Sequence, residues 1–301
     1  MHAGNIFAAM MAWLIARSQE GEMVLRIEDL DRARSKREFI DQVQRDFETL
    51  GLTWDRGPFY QHDRDDAYRE AFDVLANAKL VYPCFCTRAD LHAVSAPHQG
   101  EKHVYPGTCR DLSRIERDEK TRRLLEAHDP GRTAPSMRVR VDDRLIAIDD
   151  LLQGRYVQRL DRDCGDFLVR RTDEAFAYQL AVVVDDAAQG VNSVVRGIDL
   201  LCSSPQQVYL QDLLGLPHAC YAHVPLLVDD SGRRLAKRSK SATLDELMNR
   251  FKSPEGVIGH IAYIAGLTDS DEPATLDQLL DVFSIEDART LYEGRISIPF
   301  A

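Results

Sequence analysis

The sequence contains no apolar run near the roughly 20 residues that a membrane-spanning helix needs. It also shows no basic start followed by an apolar stretch and a small-residue cleavage site, so we expect a cytoplasmic protein without membrane contact. Cysteine is sparse, six in 301 residues, which excludes a disulfide framework and turns attention to how the cysteines cluster. Positive charge is short as well. The formal net charge of −11 excludes a generic nucleic-acid coat, whose hold on phosphate needs a basic surface, yet it allows a local RNA face. Arg110, Arg114, Arg117, Lys120, Arg122 and Arg123 are dense but alternate with acids, as on an exposed helix; Arg233, Arg234, Lys237, Arg238 and Lys240 are also dense. Internal repeats and low-complexity tracts are absent. What remains is globular material, 44% hydrophobic, long enough for a substantial core and for two domains or one domain carrying a large insertion.

The chain opens on His2-Ala3-Gly4-Asn5 with no strand ahead of it, and runs into an apolar helical pattern over 5–19. Gly21 then lets it turn into a strand over 23–27. Ser35-x-x-Glu38 reads as a capping box for a helix bearing Phe39, Ile40, Val43, Phe47 and Leu50, and a further helix covers 65–78. From Cys84 to Asp173 the rhythm breaks into short strands, one charged helix and turns. Alternation resumes with a strand at 167–170, a helix from Tyr178, a strand at 193–196 and a helix over 206–214, with Ser204 at its cap and Pro205 in its first turn. After residue 242 only helices are expected, starting at Thr243-x-x-Glu246, Ser253-Pro254 and Thr275. The fold class is therefore α/β, a Rossmann-like parallel sheet with an insertion and a short helical end. The expected segments are 1–83 and 174–242 as two halves of a nucleotide-binding domain, 84–173 as the insertion, and 243–301 as the helical C-terminal segment.

Four groups of residues can carry chemistry. In His-x-Gly-Asn the glycine admits backbone N–H groups to phosphate and the helix N-terminus faces it with positive potential, although a solvated histidine is the plainer alternative. Lys237-Arg238-Ser239-Lys240-Ser241 follows a strand-like 225–228 and the turn at Asp229-Asp230-Ser231-Gly232. It is either a solvated loop or a pair of lysines that neutralise a departing pyrophosphate. Cys84-Phe85-Cys86 and Cys109 offer three thiolates for a structural zinc, with His98, His103 or Tyr105 as the fourth ligand; imidazole is the commoner donor. Cys164, Cys202 and Cys220 are scattered and expected to be buried. Finally, Arg26-Ile27-Glu28-Asp29 ends a strand where open parallel sheets bind ligands, and Tyr178 and Arg196 could reach the same crevice. Glu28 could accept an ammonium; equally, Glu28 could pair with Arg26, Tyr178 could be core, and Arg196 could sit in a surface ion pair.

His-x-Gly-Asn, Arg-Ile-Glu-Asp, Cys-x-Cys with Tyr-x3-Cys, the run from Ala177 to Asp186, Arg-Gly-x-Asp-Leu from Arg196 to Leu200, and Lys-x-Ser-Lys-Ser occur in one order over 1–250. In that order they resemble the glutamyl-tRNA synthetases of class I, and most nearly their short paralogues acting on queuosine in tRNA(Asp). The resemblance implies a ligase that activates L-glutamate with ATP and transfers it to queuosine in the tRNA(Asp) anticodon. Carried over, it gives Glu28, Tyr178 and Arg196 to glutamate, and His2, Gly4, Asn5 and Lys240 to ATP. It makes His2, Lys237 and Lys240 the catalytic residues, with Mg2+ sharing the phosphate charge, and Cys84, Cys86, Tyr105 and Cys109 the zinc ligands. A monomer is expected. About 60 residues follow Ser241, too few for a full anticodon-binding domain, which favours the short paralogue over a truncated full-length enzyme. No visible cation answers the second glutamate carboxylate. In the family that arginine lies on a strand just before the His-x-Gly turn, so we expect a chain beginning at Met1 to be poorly active. A non-catalytic amino-acid- or RNA-binding paralogue and a pantetheine-type nucleotidyltransferase are the competing readings.

Overall fold

The computed structural model describes residues 1–31, 35–87, 89–91, 104–129, 131–229, 231–233, 235 and 243–300. Helix α1 (Ala3–Ser18) buries Ile6, Phe7, Met10, Met11, Leu14 and Ile15, and its apolar character runs almost all round, as in a helix enclosed on several sides. β1 (Val24–Ile27), α2 (Arg37–Thr49) and β2 (Arg56–Tyr60) form a strand–helix–strand unit that brings β2 parallel to β1, with Ile27 opposite Tyr60. The expected cap at Ser35 is not made: Lys36 holds the cap position and no side chain closes the first turn.

Helix α3 (Asp65–Asn77) leads to β3 (Val81–Cys84) and the region read as an insertion. There the pairing changes to antiparallel. α4 (Arg114–Glu126) starts on a Ser113–Glu116 capping box and buries nothing, as its charge alternation indicates. β4 (Ser136–Val139) is the middle strand between β3 and, after the hairpin of β5 (Leu145–Asp150) and β6 (Gly154–Arg159) and the single turn α5 (Leu160–Asp163), β7 (Leu168–Arg170). Along β5 exposed and buried residues alternate strictly, so Ile146, Ile148 and Asp150 share the inner face.

Helix α6 (Tyr178–Gln189) ends on Gly190 in the left-handed conformation and feeds β8 (Ser193–Gly197). Helix α7 (Ser204–Leu214) then returns the chain to β9 (Cys220–Val224), parallel to β8 with Arg196 opposite His223. The serine expected to cap α7 is already its first helical residue and makes no cap hydrogen bond. β10 (Leu226–Val228) precedes α8 (Leu244–Phe251), α9 (Pro254–Ala265), α10 (Leu276–Val282) and α11 (Ile285–Tyr292). The last element corrects the expectation of helices only: β11 (Ser297–Pro299) pairs in parallel with β10.

Two cores result. In the first, α1 packs against β10 and the C-terminal helices, Phe7 meeting Tyr292 edge to face at 6.1 Å, so the two ends of the chain share one interior. The second joins α3, α6 and α7 to the antiparallel sheet and hairpin through Tyr68, Leu75, Val139, Ile148, Leu180 and Tyr209. Among the described residues β1 bonds only to β2 and β8 only to β9. Between β1 and β8 lies a groove of about 730 Å3, walled on a third side by Ala12 and Ala16 of α1.

Candidate active site

The groove gathers side chains that are far apart in sequence: Glu28 beyond β1, Tyr178 at the start of α6 and Arg196 near the end of β8 all line it. At Val195, Arg196 and Leu200 it adjoins a second cavity of about 260 Å3, lined by His2, Gly4 and Asn5 on one side and Pro225 to Leu227 on the other. Arg196 thus stands where the two spaces meet.

Arg196 is not the surface ion pair it could have been. Its Nε donates to His223 Nε2 at 3.1 Å, Nη1 to the Tyr178 hydroxyl at 3.2 Å, and Nη2 to Ser204 Oγ at 2.7 Å and the Leu200 carbonyl at 3.4 Å. Its guanidinium carbon also lies 5.3 Å from the centre of the Tyr221 ring, within reach of that ring's π face. Four of five N–H groups are engaged, which fixes the cation in one pose and leaves a donor on Nη1. Burial pushes the Tyr178 hydroxyl above its ordinary value, so it remains a neutral donor. Ser204 was expected as a helix cap; its hydroxyl serves Arg196 instead. Gly197 follows because a side chain there would meet Asp199 Oδ1 at 2.6 Å.

On the opposite wall Glu28 faces Arg26 Nη2 at 3.6 Å, so the plain ion pair does form, at a long distance. Arg26 is committed elsewhere. Its Nη1 donates to Asp186 Oδ1 at 2.7 Å and to Gln189 Oε1 at 3.0 Å, and Asp185 lies 4.0 Å from Nε. Desolvation in the groove pushes the Glu28 carboxyl above its usual range, with Arg26 pulling it down and Asp186 adding to the rise. The side chain is still 46% exposed, open to an incoming ammonium. Desolvation likewise raises Asp186, against the pull of Arg26. Asp185, wholly buried, is satisfied by Tyr68, Gln61 and Arg64 and takes no part in the groove.

At the second cavity His2 precedes α1 and pairs by an isolated bridge with Thr243, so the first turn of α1 is held against the start of α8. The imidazole lies over Gly4: a Cβ built there would sit 3.4 Å from its Cε1 and Nδ1. The first turn carries no acidic residue and no side-chain cap, so no side chain competes there with an anion, although the Asn5 and Ile6 N–H groups already donate to the His2 carbonyl. Lys237 and Lys240, and the alternative zinc ligands His98 and His103, lie outside the described residues.

The cysteine cluster forms a separate centre at the base of the antiparallel sheet. Cys84, Cys86 and Cys109 place their sulfurs within 4.8 Å of one another. The Cys86–Cys109 separation is 3.7 Å, and the Tyr105 oxygen stands 3.4 Å from Cys84 and 3.9 Å from Cys86. Zinc bonds of about 2.3 Å to sulfur and about 2.1 Å to oxygen give tetrahedral edges of about 3.8 and 3.6 Å, so the donor set fits zinc. Hydrogen bonding from Cys109, with help from Tyr105 and Arg138 against burial, lowers the Cys84 thiol to about 4. Cys86 and Cys109 are raised, the first by burial and the second by its bond to Cys84. Arg138 supplies the counter-charge, its Nε 3.3 Å from Cys84 and its guanidinium 3.8 Å from the centre of the Tyr105 ring. Cys202 and Cys220, expected to be buried, are exposed; Cys164 is partly buried.

Sequence reading missed one pair. Asp150 and His223 have no accessible side-chain surface and face each other at 2.5 Å, directly behind Arg196. The available signal was the alternation Tyr221-Ala222-His223, which puts a ring and an imidazole on one face of a strand next to the Arg196 strand.

A sequence model described as tRNA synthetases class I (E and Q), catalytic domain, matches residues 1–275. The chain is 44% identical over 297 residues to the glutamyl-Q tRNA(Asp) synthetase of Symbiobacterium thermophilum, covering 95% of this chain and 89% of that protein. It is 43% identical over 277 residues to that of Nitratidesulfovibrio vulgaris, covering 89% and 83%. In fold it is similar to a glutamate tRNA ligase of Elizabethkingia meningosepticum, with a TM-score of 0.77 at 21% identity, spanning all of this chain and 64% of that one. Among the described residues no helix is long and apolar enough to cross a membrane. The chain belongs to the catalytic-domain family of the class I tRNA synthetases of the E and Q group.

Proposed function

We propose that this protein activates L-glutamate with ATP to glutamyl-adenylate and transfers the glutamyl group to queuosine in the anticodon of tRNA(Asp). The observation that carries the reading is the meeting of Glu28, Tyr178 and Arg196 in one groove that adjoins the His2–Gly4 cavity. A zwitterion with two carboxylates is buried only where charged partners receive it. Glu28 accepts the ammonium, and Arg196 with the Tyr178 hydroxyl receives a carboxylate. The carboxylate to be activated points toward the second cavity, where the N-terminus of α1 and His2 face the triphosphate. Attack on the α-phosphorus forms the mixed anhydride and releases pyrophosphate. Mg2+ with ATP, and Lys237 and Lys240 of the Lys/Ser loop, offset that charge. Cys84, Cys86, Cys109 and Tyr105 would hold zinc, which when bound would close the 84–109 loop at the start of the insertion and take no part in the reaction.

The test is L-glutamate-dependent ATP–pyrophosphate exchange without tRNA, followed by transfer of labelled glutamate to tRNA(Asp) with and without queuosine. Exchange with glutamate, not with glutamine or aspartate, and labelling confined to the queuosine-bearing tRNA are expected. Labelling of a tRNA 3′ end instead would replace the acceptor in this reading, and no exchange at saturating glutamate and ATP would overturn it.

A further inference from the structure

Behind Arg196 the buried pair is ordered to a degree that packing alone does not require. Asp150 Oδ1 accepts three backbone N–H groups, from Leu152 at 3.0 Å, Gln153 at 2.9 Å and His223 at 3.1 Å. Its other oxygen faces His223 Nδ1 at 2.5 Å. An ionised carboxylate only accepts, so the imidazole proton sits on Nδ1, and the bare Nε2 lone pair takes the Arg196 Nε–H. Ser204 Oγ, 3.3 Å from the same Nε2, holds Arg196 Nη2. Burial keeps the imidazole neutral beside the arginine cation, and the hydrogen bonds to Asp150 keep that carboxylate ionised.

We propose that Asp150 and His223 are positioning residues for the amino-acid site: by fixing the imidazole as its Nδ1–H tautomer they hold Arg196 in the pose that receives the substrate carboxylate. The inference rests on the reading of Arg196 given above. It also means that the β5–β6 hairpin, part of the segment 84–173, supplies a residue to the chemistry of the groove. The hairpin is fastened there by Leu151 N–H to the Tyr221 carbonyl at 2.8 Å and Gln153 Nε2 to the His223 carbonyl at 2.9 Å.

Three substitutions separate positioning from mere packing. In Asp150→Asn the three N–H groups keep the amide oxygen on their side, so the NH2 faces Nδ1. That forces the proton to Nε2 and sets N–H against Arg196 N–H. His223→Asn can still meet Asp150 but leaves nothing at Nε2. His223→Gln places an amide oxygen near Nε2 and restores the acceptor. The full chain and each variant are titrated calorimetrically with L-glutamate and, separately, with ATP, and the imidazole nitrogens of the unaltered chain are read by long-range 1H–15N correlation. Loss of a hydrogen bond to a charged group predicts glutamate affinity weakened about tenfold or more in Asp150→Asn and His223→Asn, with ATP affinity within about twofold. His223→Gln is expected within about threefold of the unaltered chain for both ligands. A proton on Nε2 in the unaltered chain, or unchanged glutamate affinity in the first two variants, overturns the proposal. Equal losses for glutamate and ATP assign the pair to packing and overturn it too. Failure of the unaltered chain to bind glutamate overturns the reading of Arg196 itself, and this inference with it.

Discussion

Arg26 Nη1 donates to Asp186 Oδ1 across 2.7 Å, joining the end of β1 to α6 on the far wall of the groove. Both side chains are largely buried, 15% and 9% exposed, so removing one leaves the other's charge uncompensated. Asp186→Ala is expected to cost about 3 kcal/mol in chemical denaturation, and Arg26→Lys to cost less but measurably, since a single ammonium nitrogen lacks the guanidinium's spread from Asp186 and Gln189 at Nη1 to Glu28 at Nη2.

Glu28 sets function against stability. Its carboxyl is raised in the folded chain, chiefly by desolvation, so charging it costs more in the groove than in the unfolded chain. The sign follows: its favourable contribution is complete below the unfolded value of 4.5 and is lost as pH rises through the higher folded value. Glu28→Gln, a mimic of the neutral acid, is expected to melt higher than the unaltered chain at pH 7.5, to match it near pH 4, and to bind glutamate poorly. Thermal melts at the two pH values check the first part. An unaltered chain that melts higher than the variant at pH 7.5 would contradict it.

The cysteine centre predicts about one zinc per chain by elemental analysis. Chelation is expected to lower the melting temperature, because the sulfurs and Tyr105 close a segment whose own cluster is small. Cys109→Ser should abolish stoichiometric zinc. Tyr105→Phe keeps the three sulfurs and should weaken zinc by about 10–100-fold while the ring continues to stack on Arg138.

Gly4→Ala separates helix stability from phosphate access. The added methyl would lie 3.4 Å from the His2 ring, a tolerable contact, and alanine is the better helix former by about 0.5–1 kcal/mol. Stability should hold or rise slightly while ATP–pyrophosphate exchange falls, since the methyl stands where a phosphate must approach the first turn of α1. Unimpaired exchange would remove Gly4 from the ATP site.

What the sequence disclosed was local. His-x-Gly-Asn, Cys-x-Cys, the capping box at Thr243 and the serine cap at Ser253 are short patterns whose meaning depends on neighbours three or four residues away. Arg196 could be placed because strand ends in parallel sheets face ligands. The Asp150–His223 pair could not, being 73 residues apart in chain and joined only by a hairpin laid against β9. β2 carries Gly57-Pro58, a pair poorly suited to a strand interior, and has no counterpart among the expected strands. Ser204 misled for a related reason: a serine before a proline signals a cap, but a cation 2.7 Å away claims its hydroxyl. β11 is three residues long and becomes a strand only because β10 offers it a partner.

Among the described residues β8 has one unpaired edge, and this has a consequence in time as well as in space. Cys220 N–H donates to the Asn192 carbonyl, so alternation along the strand turns the amides of Val194 and Arg196 toward β9, and those of Ser193, Val195 and Gly197 away from it. Hydrogen exchange should therefore alternate residue by residue along five positions, slow at 194 and 196 and fast at 193, 195 and 197. An extended polypeptide lying in the groove would erase that alternation along the whole strand. Glutamate, seated at Arg196, would leave Ser193 exchanging as before, so the isotope pattern alone distinguishes the two occupants.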